Sequence, residues 1–172
     1  QELAERINRY LPEDVAVIDC SEVGPRFHSR LNAVSKVYRY RVLNSNVPCV
    51  FDRKYIWQIP DKLDICAMRE AAAFLEGRHD FASFTSAKKS KKSTVRTLLS
   101  VRLEQVGDEI QFWYEGDGFL FHMVRILTGT LVEVGLHQRS ICDVTQILAE
   151  KKREKAGRLA PAAGLSLMEV RF

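Results

Sequence analysis

Residues 119–134 constrain the fold of this chain more than any other segment. Their side chains are apolar almost all the way round, and a helix of that kind needs other elements packed around it. Gly116 and Gly118 break the strand-like run that precedes the segment. The sequence therefore predicts a buried central helix over residues 119–134.

Two basic residues interrupt this apolar segment. His122 and Arg125 are three positions apart, a spacing that places both on one face of a helix. A guanidinium among apolar side chains needs an anion or an open cleft, because a buried unpaired charge is costly. No carboxylate lies within four residues of Arg125, so its partner has to come from another segment, a substrate phosphate or a part of the protein outside this chain. The alternative is a surface arginine that reaches water.

Residues 35–43 (SKVYRYRVL) alternate as the residues of a strand do. One face would carry Arg39 and Arg41, and the other Tyr38 and Tyr40. Cations for phosphates and flat rings for bases are what a sheet facing nucleic acid presents. For Tyr40 in particular, cross-strand packing is the ordinary alternative, because tyrosine is a common strand former.

Local signals predict the other elements. Strand patterns occur at residues 15–23, 55–57 and 165–172, and helix patterns follow Asp61 or Asp64 and Ser140. Residues 77–84 are predicted to be a structural turn anchored by Phe81 and Phe84. A hairpin turns at Gly107, and its inward side chains are predicted to be Leu99, Val101, Leu103, Ile110, Phe112 and Tyr114. The fold class that follows is α+β, a largely antiparallel sheet with helices packed on one face.

Composition narrows the possible functions. The chain has 172 residues, 46% of them hydrophobic, and a formal net charge of +4, which permits a polyanionic partner without proving one. Its four cysteines are far apart, a pattern that indicates reduced thiols in a cytoplasmic protein and neither a disulfide framework nor a zinc site. No apolar run is long enough to span a membrane.

Lys88 to Lys92 form a basic stretch that is predicted to be a surface loop able to touch phosphate.

The sequence contains no glycine-rich phosphate loop and no nucleophilic serine or cysteine motif. His79 and Asp80 are adjacent, and neighbouring residues seldom orient each other as a catalytic triad requires. A hydrolase built on His79, Asp80 or Asp117 is therefore a weak alternative, because no positioned nucleophile accompanies them.

Seven sequence elements together resemble the tRNA pseudouridine synthase A family. They occur in the family's order at residues 26–30 (RFHSR), 36–40 (KVYRY), 77–84 (GRHDFASF), 95–97 (VRT), 117–125 (DGFLFHMVR), 135 (G) and 163–167 (AGLSL). The resemblance implies the pseudouridine synthase catalytic fold and isomerisation of uridine to pseudouridine in the tRNA anticodon stem-loop, at tRNA positions 38 to 40. It also implies a symmetric homodimer and a reaction without cofactor or metal.

The resemblance assigns roles to individual residues. Tyr38 is similar to the family's active-site tyrosine, which stacks on the target base, and Arg125 to the basic residue that pairs with the nucleophilic aspartate. His28, Arg30, Arg39, Arg96 and His122 are further candidates for RNA contact or for support of the site.

The family's nucleophile lies in a Gly-Arg-Thr-Asp-Ala-Gly-Val-His-like segment, which this sequence does not contain. The chain also begins inside an amphipathic helical pattern that includes Leu3, Ile7 and Tyr10. The expectation is one α+β domain over residues 1–172, truncated at its N-terminus, lacking the catalytic aspartate and inactive alone. A non-catalytic RNA-binding domain is the alternative.

Overall fold

A computed structural model describes residues 2–87 and 93–172. The predicted basic loop, Lys88 to Lys92, lies outside the described residues. The chain divides into two units, Gln1–Asn32 and Ala33–Phe172.

The first unit contains the helix α1, Glu2–Asn8. The strand predicted over residues 15–23 is wrong, because these residues form no regular element. A strand needs a neighbouring strand to complete its hydrogen bonds, whereas Val17 pairs in both directions with the side-chain amide of Asn8, at 2.7 and 2.8 Å. Ile18, which an inward-facing strand position would bury, is 96% exposed.

The second unit is organised around a six-stranded sheet. Its strands are β1 (Ser35–Leu43), β2 (Trp57–Gln58), β3 (Gly77–Asp80), β4 (Val95–Val106), β5 (Glu109–Gly116) and β6 (Leu165–Arg171). The order is β2-β1-β5-β4-β3, and β6 also pairs with β1. The β1-β2 pairing is parallel, whereas β1-β5, β1-β6, β3-β4 and β4-β5 are antiparallel.

The hairpin of β4 and β5 matches the predicted pattern except at one residue. Ile110, Phe112 and Tyr114 are completely buried, as the alternation predicts. Leu99, however, is 55% exposed, and the buried residue is its neighbour Leu98. The register between β4 and β5 shifts between Leu98 and Ser100, and such a bulge reverses the facing of the side chains beyond it.

Among the described residues, three helices of eight or more residues accompany the sheet: α2 (Ile65–Ala73), α3 (Met123–Gly135) and α4 (Asp143–Glu150). Most side chains of α3 are buried, which confirms a central apolar helix. Its predicted start at residue 119 is wrong, since the helix begins at Met123. His122 has a left-handed backbone with φ of 63°, so it precedes the helix and does not share a helical face with Arg125.

Residues 77–80 form β3 and not the predicted turn. Phe81 and Phe84, the predicted anchors, are completely buried in the core. The core lies between the helices and the sheet face that carries Tyr40, Val42 and Phe112, with Tyr40 completely buried. The predicted fold class, α+β with helices on a largely antiparallel sheet, is confirmed.

Gly129 allows the segment around Arg158 to lie directly against α3. A methyl group at this position would overlap the carbonyl oxygen of Arg158. We expect Gly129→Ala to lower the free energy of unfolding by about 3 kcal/mol, because backbone cannot yield as a flexible side chain can. Gly24→Ala is the control, since no atom lies within 4 Å of its added methyl group. Urea denaturation of both variants measures the difference, and equal stabilities would contradict this account of the packing.

Candidate active site

A cavity of about 300 Å³ lies between β1, the start of α3 and the segment before β6. It brings together three residues that the sequence singled out, Tyr38, His122 and Arg125. None of the residues that line it carries a carboxylate. The full set is Tyr38, Phe119, Leu120, Phe121, His122, Met123, Val124, Arg125, Ala162 and Leu165.

Arg125 is half-buried in the first turn of α3. Its Nε donates to the carbonyl oxygen of Ala160 at 2.6 Å, and the Ala160 N–H donates back to the Arg125 carbonyl at 3.2 Å. Within residues 2–87 and 93–172, no carboxylate lies within ion-pair distance of its guanidinium. Another segment therefore satisfies one donor of Arg125 while its charge remains available to an anion.

The segment that holds Arg125 is itself held by the sheet. The hydroxyl of Tyr40 donates to the carbonyl oxygen of Pro161 at 2.6 Å. Gly164 lies so close that an added methyl group would be 2.7 Å from the Tyr40 ring. Burial raises the pKa of Tyr40, which keeps this donor protonated. Tyr40 thus has the packing role that is ordinary for a strand tyrosine, and it fixes the loop behind Arg125.

Tyr38 enters the cavity from β1. Its ring meets Phe119 edge-on, with centroids 4.9 Å apart and planes at 76°. The pairing with β6 is irregular between Val37 and Tyr38, and such bulges re-aim side chains next to functional sites. Burial raises the pKa of Tyr38 above its ordinary value of 10.0, so its hydroxyl carries a proton at neutral pH.

His122 closes the cavity beside Arg125. Its Nδ1 shares a hydrogen bond of 2.7 Å with the hydroxyl of Ser86, and its ring stacks on Phe121. Partial burial and the nearby charge of Arg125 lower the pKa of His122 below 6.5. The imidazole is therefore neutral at pH 7.

The other candidates lie elsewhere. Arg39 is on the opposite face of β1 from Tyr38, with its guanidinium 5.5 Å from the centre of the Trp113 ring. Arg96 donates to the carbonyl oxygens of Ser93 and Val95 at 3.0 and 2.6 Å, and its side chain passes beside Gly118, next to the cavity residue Phe119.

His28 and Arg30 belong to the first unit. There, the His28 Nδ1 accepts from the backbone N–H groups of Arg30 and Leu31 at 3.2 and 3.4 Å. Both candidates are exposed. Their predicted contact with RNA stays a prediction.

The outer face of the sheet carries two buried donors without a hydrogen-bond partner among the described residues. They are the Nε of Arg39 and the indole N–H of Trp113, which lie side by side in the β1-β5 register. Buried donors of this kind usually have partners.

The residues of the alternative hydrolase have structural partners. The Nε2 of His79 lies 2.7 Å from the Glu76 carbonyl oxygen, and Asp117 accepts from the Thr97 N–H at 3.0 Å. The hydroxyl of Thr94 and the ammonium of Lys151 hold the pKa of Asp80 below its usual range. These contacts stabilise β3 and β4.

In the parts of the chain that the structure describes, no group of three or more His, Cys, Asp or Glu side chains is arranged to hold a metal ion. None of the helices among those residues has the length and apolar character needed to cross a membrane.

Sequence reasoning did not single out two groups that hold cavity residues in place. The backbone of Ala160 lies 35 residues after Arg125 and contacts it through a carbonyl, a group that no residue identity reveals. Ser86 is 36 residues before His122, in a stretch whose polar residues give no signal of their own. Phe119 and Phe121 were singled out only as members of the apolar run and of the element at residues 117–125.

A family profile described as tRNA pseudouridine synthase matches residues 71–172. "tRNA pseudouridine synthase A 2" of Clostridium tetani is 44% identical over 164 residues, covering 95% of this chain and 66% of the relative. "tRNA pseudouridine synthase A" of Moorella thermoacetica is 45% identical over 166 residues, covering 96% and 68%. The protein of the same name from Halalkalibacterium halodurans is 46% identical over 159 residues, covering 92% and 60%.

Proposed function

Because the chain belongs to the tRNA pseudouridine synthase family, we propose that it forms part of an active site that isomerises uridine to pseudouridine in tRNA. The observation that carries the proposal is the cavity that unites Tyr38 with Arg125. It offers a flat ring for the base beside a cation without a carboxylate partner. The ring can stack on the uracil of an RNA substrate, and the cation can pair with a carboxylate nucleophile.

The reaction breaks the bond between N1 of uracil and C1′ of the ribose and forms a bond from C5 to C1′. The proton on C5 is lost, and N1 gains one, so that atoms balance without an oxidant or a cofactor. In this proposal the Tyr38 ring holds the freed base flat while it turns, and its hydroxyl takes part in the proton transfer. Arg125 keeps a nucleophilic carboxylate ionised and oriented at neutral pH.

We place that nucleophilic carboxylate outside residues 1–172. The chain spans about two thirds of the relatives it matches, 66% of the first and 68% of the second, and its sequence lacks the family's aspartate segment. The residues that line the cavity include no Asp or Glu, which agrees with this proposal.

The RNA target we propose is the anticodon stem-loop at tRNA positions 38 to 40. His122 lines the cavity and Arg96 passes beside Gly118, the neighbour of the cavity residue Phe119 in the sequence, and we assign both to RNA contact or support of the site. We propose RNA contact for His28, Arg30 and Arg39 as well.

The test is pseudouridine formation on an unmodified tRNA transcript by the full-length protein and by the 172-residue chain. We expect turnover by the full-length protein at positions 38 to 40 and none by the chain alone. Turnover by the chain alone would contradict the placement of the nucleophile. Tight binding of tRNA by the full-length protein without turnover would favour a non-catalytic RNA-binding domain.

We also propose a homodimer in the cytoplasm. The homodimer is what the resemblance to the tRNA pseudouridine synthase A family implies. The four free cysteines agree with a reducing compartment. Analytical ultracentrifugation and cell fractionation test the two statements separately, and a monomer at micromolar concentration would contradict the first.

A further inference from the structure

Phe121 is a large apolar side chain that the fold keeps at the cavity without covering it. Its ring is 60% exposed, although it lines the same cavity as Tyr38 and Arg125. A single exposed phenylalanine is common on protein surfaces. What distinguishes this one is the structure that supports it.

The ring of Phe121 is supported on one side by the ring of His122. The two planes are inclined by 25°, and their centroids are 3.7 Å apart. The hydrogen bond between Ser86 and the Nδ1 of His122, 2.7 Å long, fixes the orientation of the supporting ring. One face of Phe121 is thus covered by a positioned aromatic ring, while the side chain as a whole stays open to solvent.

The backbone at this point is fixed as well. The carbonyl oxygen of Phe121 accepts from the Thr85 hydroxyl at 3.1 Å and from the Ser86 N–H at 3.4 Å. His122 holds a left-handed conformation with φ of 63°, which is unfavourable for a residue with a Cβ. Such strain persists where the surrounding contacts impose it, and it is concentrated at functional sites.

We propose that the Phe121 ring, supported by His122, stacks on the nucleobase adjacent to the target uridine. This inference rests on the proposed function. The target has to leave the RNA stack before it can enter the cavity, and its departure uncovers one face of a neighbouring base. An exposed aromatic ring at the edge of the cavity can replace the lost stacking partner. Every base has such a face, so this contact would accept neighbours of any identity.

The experiment is a double-mutant cycle between Phe121 and the RNA, using the full-length protein. Its substrates are an anticodon stem-loop and two versions that are abasic on the 5′ or the 3′ side of the target. We expect Phe121→Ala to raise KM for the intact RNA by about 10- to 100-fold. On the RNA that lacks the contacted base, the same substitution should change KM less than about twofold, because no stacking partner remains.

Two further variants separate stacking from packing. Phe121→Tyr keeps a flat ring and should retain the KM of the unaltered protein, whereas Phe121→Leu keeps apolar volume and should resemble Phe121→Ala. Phe51→Ala is the matched control, since Phe51 is 96% exposed and does not line the cavity; its KM should not change.

Several results would overturn the inference. One is the absence of coupling at both neighbouring positions, and another is a Phe121→Leu protein with an unaltered KM. A lowered melting temperature of Phe121→Ala with unchanged KM would show that the ring packs against another part of the protein. Normal turnover without coupling contradicts only this inference, whereas failure of the unaltered protein to form pseudouridine contradicts the proposed function first.

Discussion

Replacing Arg125 with alanine in the full-length protein is expected to lower kcat by about 10³-fold, a loss typical of removing one preorganised electrostatic group from an active site. The guanidinium is anchored by its Nε to the Ala160 carbonyl at 2.6 Å. No carboxylate among the described residues forms an ion pair with the guanidinium, so in the proposed site the guanidinium faces the nucleophile. The measurement is the single-turnover rate of pseudouridine formation with saturating tRNA.

The same substitution should change the pH dependence. A cation beside a carboxylate lowers the pKa of that carboxylate, and its removal lets the pKa rise. Because the nucleophile acts in its ionised form, the acidic limb of the rate profile should move to higher pH in Arg125→Ala. A uniform loss of rate with an unmoved acidic limb would assign Arg125 to binding of RNA instead.

Arg69→Ala provides a matched control for Arg125→Ala. Arg69 also lies on a helix and donates its Nε to a backbone carbonyl of another element, that of Leu103 at 3.1 Å, but it does not line the cavity. Each substitution removes one such hydrogen bond, which contributes about 1 kcal/mol to stability. Only Arg125→Ala should lower kcat by about 10³-fold. Arg125→Lys keeps the charge without the planar guanidinium, and it should fall between the two.

The regular parts of the fold could be predicted because periodicity and burial agree there. In β5, every second residue from Ile110 to Tyr114 is buried. The central helix is apolar almost all the way round, as a helix surrounded by other elements has to be. The prediction for β4 misses by one residue at Leu99, since a bulge is a property of the strand pairing and leaves no mark on the alternation of one strand. For residues 15–23 the alternation is present, but the pairing strand that would use it is not formed.

The site could be predicted less completely, for reasons that concern the backbone. Arg125 is a cation within an apolar run of sequence, and this feature predicted a functional role for the residue that lines the cavity. The carbonyl of Ala160 that holds it has no side-chain signature. His122 has a left-handed backbone directly before the helix and shares a hydrogen bond with Ser86, and no local sequence pattern encodes either feature.

Arg39 shows the opposite case, in which the alternation was informative. Consecutive residues of a strand face opposite sides of a sheet, so Tyr38 and Arg39 cannot both enter one cavity. The structure follows this rule: Tyr38 lines the cavity, and Arg39 lies over Trp113 on the outer face. Any contact of Arg39 with RNA therefore requires a second surface.

Substitution of Tyr38 is expected to separate two functions of one side chain. Tyr38→Phe keeps the ring and its edge-on contact with Phe119, so KM should stay within about threefold of the unaltered protein, because stacking is retained. Loss of the hydroxyl should lower kcat by about 10²- to 10⁴-fold if it takes part in the proton transfer. Tyr38→Ala should show the same loss in kcat and raise KM by a further factor of about 10 or more.

The control for Tyr38→Phe is Tyr114→Phe, which also removes a tyrosine hydroxyl. Tyr114 faces Tyr38 in the β1-β5 register, but it is completely buried and its hydroxyl shares a 3.0 Å hydrogen bond with Thr128. Its loss should cost about 1 kcal/mol of stability and leave kcat unchanged.

Burial raises the pKa of Tyr38, so its phenol begins the reaction protonated and can act as a base only after it has donated that proton. A Tyr38→Phe protein with unaltered kcat would therefore limit Tyr38 to holding the base, and the proton transfer would belong to another group.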